Sequence, residues 1–392
     1  MDRVKLFAAT YGLVLSQIAS SYVFANFVSP ETYGAYLKSI FYAAYVPYMS
    51  FGMINGMSYY LVLERNKNRF YMTSVTITMV FIIAFISFLV LMFFNQVPHY
   101  KIITNISIAI TILLSLFTSF FSAKGEYVGL YKLKFLQILS GTALLPLVFV
   151  NEDYIWLRYG IAGIFLTIFF SKYFFKFISF SGFDLRLFKI VTKRGFLPFI
   201  ITLVYGFYLG VDRLFLKNSV SNEEFAEYGI AMTFASFARV LFEYVGQIFY
   251  RKIGDGIASQ KRKNVLEVFL KNLVINSSIV VLVIIGMHYL LNFVLEKILP
   301  LYASIESLIF TVVIGHMIIA ANNSSDMLFL LNQKRLYIFV NLLPIALFGF
   351  FLIIFAEYSD VWKVSYSLVV SALCTIIVGQ LLVLRSIRLL NE

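Results

Sequence analysis

The sequence predicts an all-α polytopic membrane protein of about twelve transmembrane helices in two six-helix halves. Three observations carry that expectation. Of the 392 residues 60% are hydrophobic and only 13% charged, with a mean hydropathy of +0.86. That leaves too little charge to cover a soluble surface, and uncharged runs long enough to cross a bilayer (about 17–25 residues) recur along the chain. The second observation is the placement of Lys and Arg between those runs. The third is a repeat between the halves.

The runs fall at roughly 6–28, 36–62, 71–94, 102–122, 135–150, 155–171, 196–216, 229–250, 273–294, 305–331, 336–356 and 362–384. The first is longer than the core of a signal peptide and leads straight into another span, so it is expected to be retained. Spans five and six are short, and Arg158 lies near the outer end of the sixth.

With the N-terminus inside, basic residues gather on one side. They include Arg65, Lys67 and Arg69 after span two, Lys172 to Arg194 after span six, and Arg251 to Lys271 after span eight. The outer loops hold only Lys101, Lys217, Lys297 and Lys363. One missed span would invert this bias downstream, so it fixes both the count and a cytoplasmic location for both termini. The same rule absorbs the net charge of +12, and nucleic acid is not an expected partner. The long basic segments anchor topology or touch anionic lipid headgroups.

Shifting the first half by about 192 positions places Ser29-Pro-Glu31-Thr-Tyr33-Gly-Ala-Tyr36 on Ser221-Asn-Glu223-Glu-Phe225-Ala-Glu-Tyr228. Thr10 then falls on Thr202, and Asn55 on Gln247. Each half begins on the cytoplasmic side, so the repeat is parallel, as in transporters with a path between two lobes. The expected division is an N-terminal lobe over 1–178, a cytoplasmic linker over 179–194 and a C-terminal lobe over 195–392.

The polar residues inside the spans are the candidate site. Span eight carries Ser236, Arg239, Glu243, Gln247 and Tyr250 along one helical stripe. An arginine at mid-bilayer costs about 2.5–3.5 kcal/mol, so the stripe should face a cavity. Either Arg239 and Glu243 neutralise each other four residues apart, or Arg239 offers a planar donor fork to a phosphate while Glu243 tunes it. The equivalent stripe of the first half is far less polar and ends on Asn55. Thr10, Gln17, Ser20 and Ser21 share a face of span one and suit sugar hydroxyls or helix packing. Asp212 and Arg213 near the outer end of span seven form an interfacial anchor, a lobe-to-lobe clamp or a gate, or touch substrate. In span ten His316, Asn322, Asn323 and Asp326 are polar, and Asp326 is a candidate for a coupling proton or sodium ion.

Gly52-xxx-Gly56 and Gly206-xxx-Gly210 permit close helix approach, and Pro47, Pro146 and Pro344 would bend their spans. The single Cys374 excludes an internal disulfide, and His99, His288 and His316 are scattered. No Walker motif and no Ser/His/Asp constellation appears, so an enzyme is not expected, nor any cofactor beyond a coupling ion.

Gly195-xx-Pro198, Val211-Asp212-Arg213-Leu-Phe-Leu, Glu227-Tyr228-Gly229-Ile-Ala and Val28-Ser-Pro-Glu-Thr-Tyr33-Gly34 resemble the polysaccharide-exporter branch of the multidrug/oligosaccharidyl-lipid/polysaccharide (MOP) exporter superfamily. That branch includes the Wzx-type O-antigen flippases. Ala25-Asn26-Phe27 stands where many relatives carry a basic residue. The resemblance implies two six-helix lobes around a central cavity that opens to each side in turn. It implies an undecaprenyl-pyrophosphate-linked glycan as substrate, carried to the outer leaflet of a bacterial inner membrane, with polysaccharide polymerase machinery as a partner. Two alternatives stay open. A cation-coupled multidrug exporter of the same superfamily would want an acidic cavity. A polysaccharide polymerase or ligase would want a long extracytoplasmic loop, whereas the outer loops here are short.

Overall fold

The computed structural model describes residues 2–41, 114, 117, 118, 121, 127–142, 145–156, 185–258, 262–331 and 333–389. The chain divides into two compact units, Met1–Gly206 and Phe207–Glu392. Span three, most of spans two, four and six, and with them Asn55, lie outside the described residues. The expected lobe boundary is neither drawn nor moved by the two units. The helix Leu185–Tyr208 does, however, begin inside the segment given to the linker.

In the first unit α1 (Asp2–Phe27) leads through Val28 and Ser29 into α2 (Pro30–Phe41). Later α3 (Tyr127–Thr142) packs along α1. Ser20 marks this contact. It is fully buried, donates to the Ser16 carbonyl at 2.6 Å and comes within 3.4 Å of the Gly141 carbonyl. A hydroxyl satisfied by its own helix leaves only its small size to offer a neighbour, so Ser20 serves packing. Gln17, on the same helix, is exposed.

Span seven, expected as one helix, is broken. Helix α4 (Leu185–Tyr208) stops, Leu209 and Gly210 turn, and α5 (Val211–Ser219) starts with Gly210 as its N-cap. Gly210 thus sits at the break, as the N-cap of α5. The acidic stretch after Ser221, expected as a loop, is instead the opening of α6 (Asn222–Ala258). The cause is local. The Ser221 N–H donates to Glu224 Oε2 at 3.0 Å and the Glu224 N–H donates to Ser221 Oγ at 3.1 Å, a reciprocal capping box that starts a helix.

Helix α6 and its successor α7 (Arg262–Ile298) have 37 residues each. At 1.5 Å per residue each runs about 55 Å, well past a hydrocarbon core of about 30 Å. Span ten is also broken, into α8 (Glu306–Ala321) and α9 (Ser324–Leu330). Helices α10 (Lys334–Ile354, containing the buried Pro344) and α11 (Asp360–Arg388) complete the unit. Among the described residues, the segments Asn264–Ile298, Pro300–Ala321, Lys334–Ile354 and Asp360–Arg388 are long and apolar enough to cross a bilayer.

Helix α8 lies at the centre of this unit, against α6, α7 and α11. Its Ile309, Val312, Val313 and Met317 are buried with Ala231, Ala235, Ala238 and Phe242 of α6 and with Val364, Leu368 and Ala372 of α11. Within a bilayer hydrophobic transfer cannot drive this assembly, so close fit must. Small residues supply it on α6. On α11 Ser365, Ser371 and Thr375 do the same, each bonded to a carbonyl of its own helix. Towards the other end Val265, Phe269, Met327, Leu328, Leu331, Val340, Val383 and Ile387 form a second apolar cluster.

The repeat is visible in burial and in capping. Phe24 and Leu216, Tyr33 and Phe225, and Tyr36 and Tyr228 are all buried. Thr32 stands where Glu224 would be, so the first half lacks a capping-box carboxylate, and Glu152 supplies one from 120 residues away. The Ser29 N–H donates to Glu152 Oε2 at 2.7 Å and the Thr32 hydroxyl to Oε1 at 3.1 Å. The Ser29 N–H, ahead of the hydroxyls, holds the Glu152 carboxyl below the usual carboxylate range against partial burial. Its contribution is therefore complete above the ordinary carboxylate value and is lost as pH falls through the lowered one. Glu152→Gln is expected to cost about 1 kcal/mol near neutral pH, since the site is near the surface. Melting curves of the two proteins should converge in acid, once pH has fallen through the lowered carboxyl value; a gap that persists there would show that charge is not the cause.

Candidate functional site

The break in span seven sends two adjacent charges in different directions. Arg213 is about one-third exposed and its Nη2 donates at 3.0 Å to the Leu209 carbonyl, freed by the break. Asp212, in the first turn of α5, is fully buried. A carboxylate there is favoured by the helix dipole, but burial without partners would cost several kcal/mol.

The partners come from the two neighbouring helices. Tyr228, fully buried in α6, donates its hydroxyl to Asp212 Oδ2 at 2.6 Å. His316, 3% exposed in α8, places Nε2 3.3 Å from the same oxygen. That nitrogen must carry its proton to bond a carboxylate. Arg213 Nε lies 3.8 Å from Oδ1, yet Oδ1 accepts no hydrogen bond from the described residues. A carboxylate with one oxygen doubly contacted and the other open, touching an imidazole and a phenol, can take up and release a proton away from water.

Of the residues the sequence singled out, the structure brings together Asp212 and Arg213 and adds His316 and Tyr228. In the sequence His316 is only one polar residue of span ten among several. Tyr228 carried a signal of its own, since it repeats Tyr36. The span-eight stripe lies elsewhere on α6. Ser236 is exposed and Arg239 half-buried, one face round from the packed Ala231, Ala235 and Ala238. Glu243 and Gln247 continue that helix, and Asp326 lies in α9; their side chains are outside the described structure. Among the described residues no three His, Cys, Asp or Glu side chains group as a metal site.

Ionisable groups buried in the packed interior of a multi-helix membrane protein are costly and mark a candidate functional site. Comparison with solved structures shows which fold this is. The fold is similar to a multidrug resistance MATE family transporter of the MOP superfamily in its inward-facing conformation. The TM-score is 0.71 at 11% identity, covering 96% of each chain. It is also similar to an outward-facing structure of such a transporter, with a TM-score of 0.61 at 11% identity over 99% of this chain and 95% of that one. A MATE structure in a bent conformation gives 0.57 at 11% identity over 100% and 96%. The chain therefore has the fold of MOP-superfamily transporters, all-α and polytopic, with about twelve transmembrane helices in two lobes. No family model matches the sequence, and no curated relative matches it either.

Proposed function

We propose that this chain is a cation-coupled exporter of the multidrug type, working by alternating access and making or breaking no covalent bond. The Asp212–Tyr228–His316 cluster carries the reading. An exporter driven by an ion gradient needs a buried group that changes charge between the two states, and Asp212 is fully buried with an open oxygen. With Asp212 ionised, the Tyr228 hydroxyl and the His316 N–H tie α5 to α6 and α8. With a proton on the carboxyl, that three-helix tie loosens. Similarity in fold to transporters described as multidrug resistance proteins supports the substrate class.

A second reading is favoured by different residues. Arg239 is a half-buried cation on a polar stripe, and the stretches around Gly195, Val211, Glu227 and Val28 resemble polysaccharide exporters. In that reading the substrate is an undecaprenyl-pyrophosphate-linked oligosaccharide of a bacterial inner membrane, with the pyrophosphate drawn to Arg239. Glu243, Gln247, Ser236, Gln17 and Asn55 would line its path, while Asp212, Arg213 and Asp326 gate or couple.

Deleting the gene separates the two. The multidrug reading expects altered drug tolerance with unchanged surface polysaccharide. Lost surface polymer, with complete lipid-linked repeat units held on the cytoplasmic leaflet, would replace it by the flippase. Arg239→Ala gives the same answer from the protein side. A carrier of organic cations should keep its transport within about 2-fold, because no anionic group has to be held there. An abolition of export that Arg239→Lys partly restores would assign the arginine to a phosphate.

A further inference from the structure

Helices α10 and α11 carry exposed cations at one edge of the second unit. The two are joined by the short turn 355–359 and pack along each other. Lys334 and Arg335 open α10, and Arg385 and Arg388 close α11. These two ends meet. Val340 of α10 shares the second apolar cluster with Val383 and Ile387 of α11, and Leu336 and Leu384 pack against it. Each cation therefore stands within two residues of a side chain that belongs to this packing, and all four are exposed.

Among the described residues no carboxylate pairs with any of the four, and the first turn of α10 holds no acid. Lys271 of α7, near Phe269 of the same cluster, is by contrast paired with Glu267 at 2.6 Å. Like charges three apart on a helix, as Arg385 and Arg388 are, repel each other unless an anion joins them. What lies on the bilayer side of the cations decides which anion. On α11 Ile377 and Leu381 precede Arg385 at intervals of four and are exposed, so they form one stripe that ends on the arginines. On α10 Ile338, Phe339 and Leu342 follow Lys334 and Arg335 at helical spacing and are exposed too. Both helices are long and apolar enough to cross a bilayer. Each thus presents an apolar stripe with two cations at its end. A free anion or an acidic peptide would match the cations alone, whereas a phospholipid matches cations and stripes together.

We propose that this edge of α10 and α11 binds an anionic phospholipid, its headgroup on Lys334, Arg335, Arg385 and Arg388 and its acyl chains along the two stripes. Basic surfaces between transmembrane helices hold such headgroups, and guanidinium groups grip phosphate oxygens two at a time. Two cations on each helix suit a headgroup with two phosphates. Diphosphatidylglycerol should therefore bind more tightly than phosphatidylglycerol. Phosphatidylcholine, whose phosphate is already balanced by its own ammonium, should not bind there. The lipid is a resident and not cargo: it needs no ion gradient, and its binding does not depend on which substrate the chain exports.

The test melts the purified, delipidated full-length protein in detergent with added phosphatidylcholine, phosphatidylglycerol or diphosphatidylglycerol. Diphosphatidylglycerol is expected to raise the melting temperature by roughly 2–4 °C and to saturate, with phosphatidylcholine giving no shift. The double variants Lys334→Gln/Arg335→Gln and Arg385→Gln/Arg388→Gln should each weaken that binding by at least about 10-fold. Lys271→Gln should leave it unchanged, because that cation is already paired. Inorganic phosphate at millimolar concentration, and poly-glutamate, should fail to displace the lipid. Displacement by either would mean that the apolar stripes play no part and would overturn the proposal. So would an equal shift from phosphatidylcholine, or undiminished binding in both double variants. If the variants fail to fold, the ranking of the three lipids and the competition by phosphate on the wild-type protein still decide.

Discussion

Asp212→Ala is expected to abolish transport and to lower stability by about 3–5 kcal/mol, the cost of breaking a buried charged network by removing one partner. The loss comes from what remains. Tyr228 and His316 keep their buried donors with no acceptor, and Arg213 loses the carboxylate 3.8 Å away. Asp212→Asn tests function apart from folding. It preserves shape and still accepts from Tyr228, but it cannot hold a proton. It should fold and bind substrate while ion-driven transport in proteoliposomes falls by at least about 100-fold, the effect of removing the coupling step itself. Tyr228→Phe removes one donor and should cost less, about 1–3 kcal/mol. Full transport by Asp212→Asn would take the cluster out of the coupling machinery. A melting curve of Asp212→Ala close to wild type would show that the buried contacts carry little energy.

Gly379→Ala should be strongly damaging for a single added methyl group. Its Cβ would lie 2.8 Å from the Ser324 Cβ and closer still to the Ser324 Oγ, in a fully buried contact between α11 and α9. Ser324 cannot swing away, because its hydroxyl and N–H both bond Asn322. Either α11 retreats or the cap of α9 is lost, at about 1–3 kcal/mol for an overpacked core. Gly349→Ala is the matched control, since no atom lies within 4 Å of a Cβ there. Adding Ser324→Gly to Gly379→Ala should recover part of the loss, and a double-mutant cycle measures the coupling. Strict additivity of the two changes would mean that they do not meet.

Much of this architecture was legible because lipid is a demanding solvent. A long uncharged run has few alternatives to a helix when every backbone group must be satisfied internally. Even so, the two broken spans were hidden. Leu209–Gly210 and Asn322–Asn323 sit in stretches whose neighbours keep hydropathy high, and span counting registers length, not continuity. The opening of α6 is masked for the opposite reason. Asn222 to Glu227 look like a loop by polarity, while the Ser221–Glu224 capping box marks them as a helix start to anyone reading side-chain hydrogen bonds.

The candidate site divides in the same way. Asp212 and Arg213 stood out as charges in an apolar run, and their different fates follow from the break between α4 and α5. That His316, 104 residues further on, touches Asp212 was set by the packing of α8 into the centre of its unit, and no local pattern encodes it. The sequence alone determined that the chain is helical, membrane-spanning and internally repeated, since bilayer thickness, helix rise and charge asymmetry act on local composition. Which buried polar groups meet was decided only by the tertiary structure, because a buried carboxylate or amide is stabilised by whatever donor the packing of distant helices brings within 3 Å.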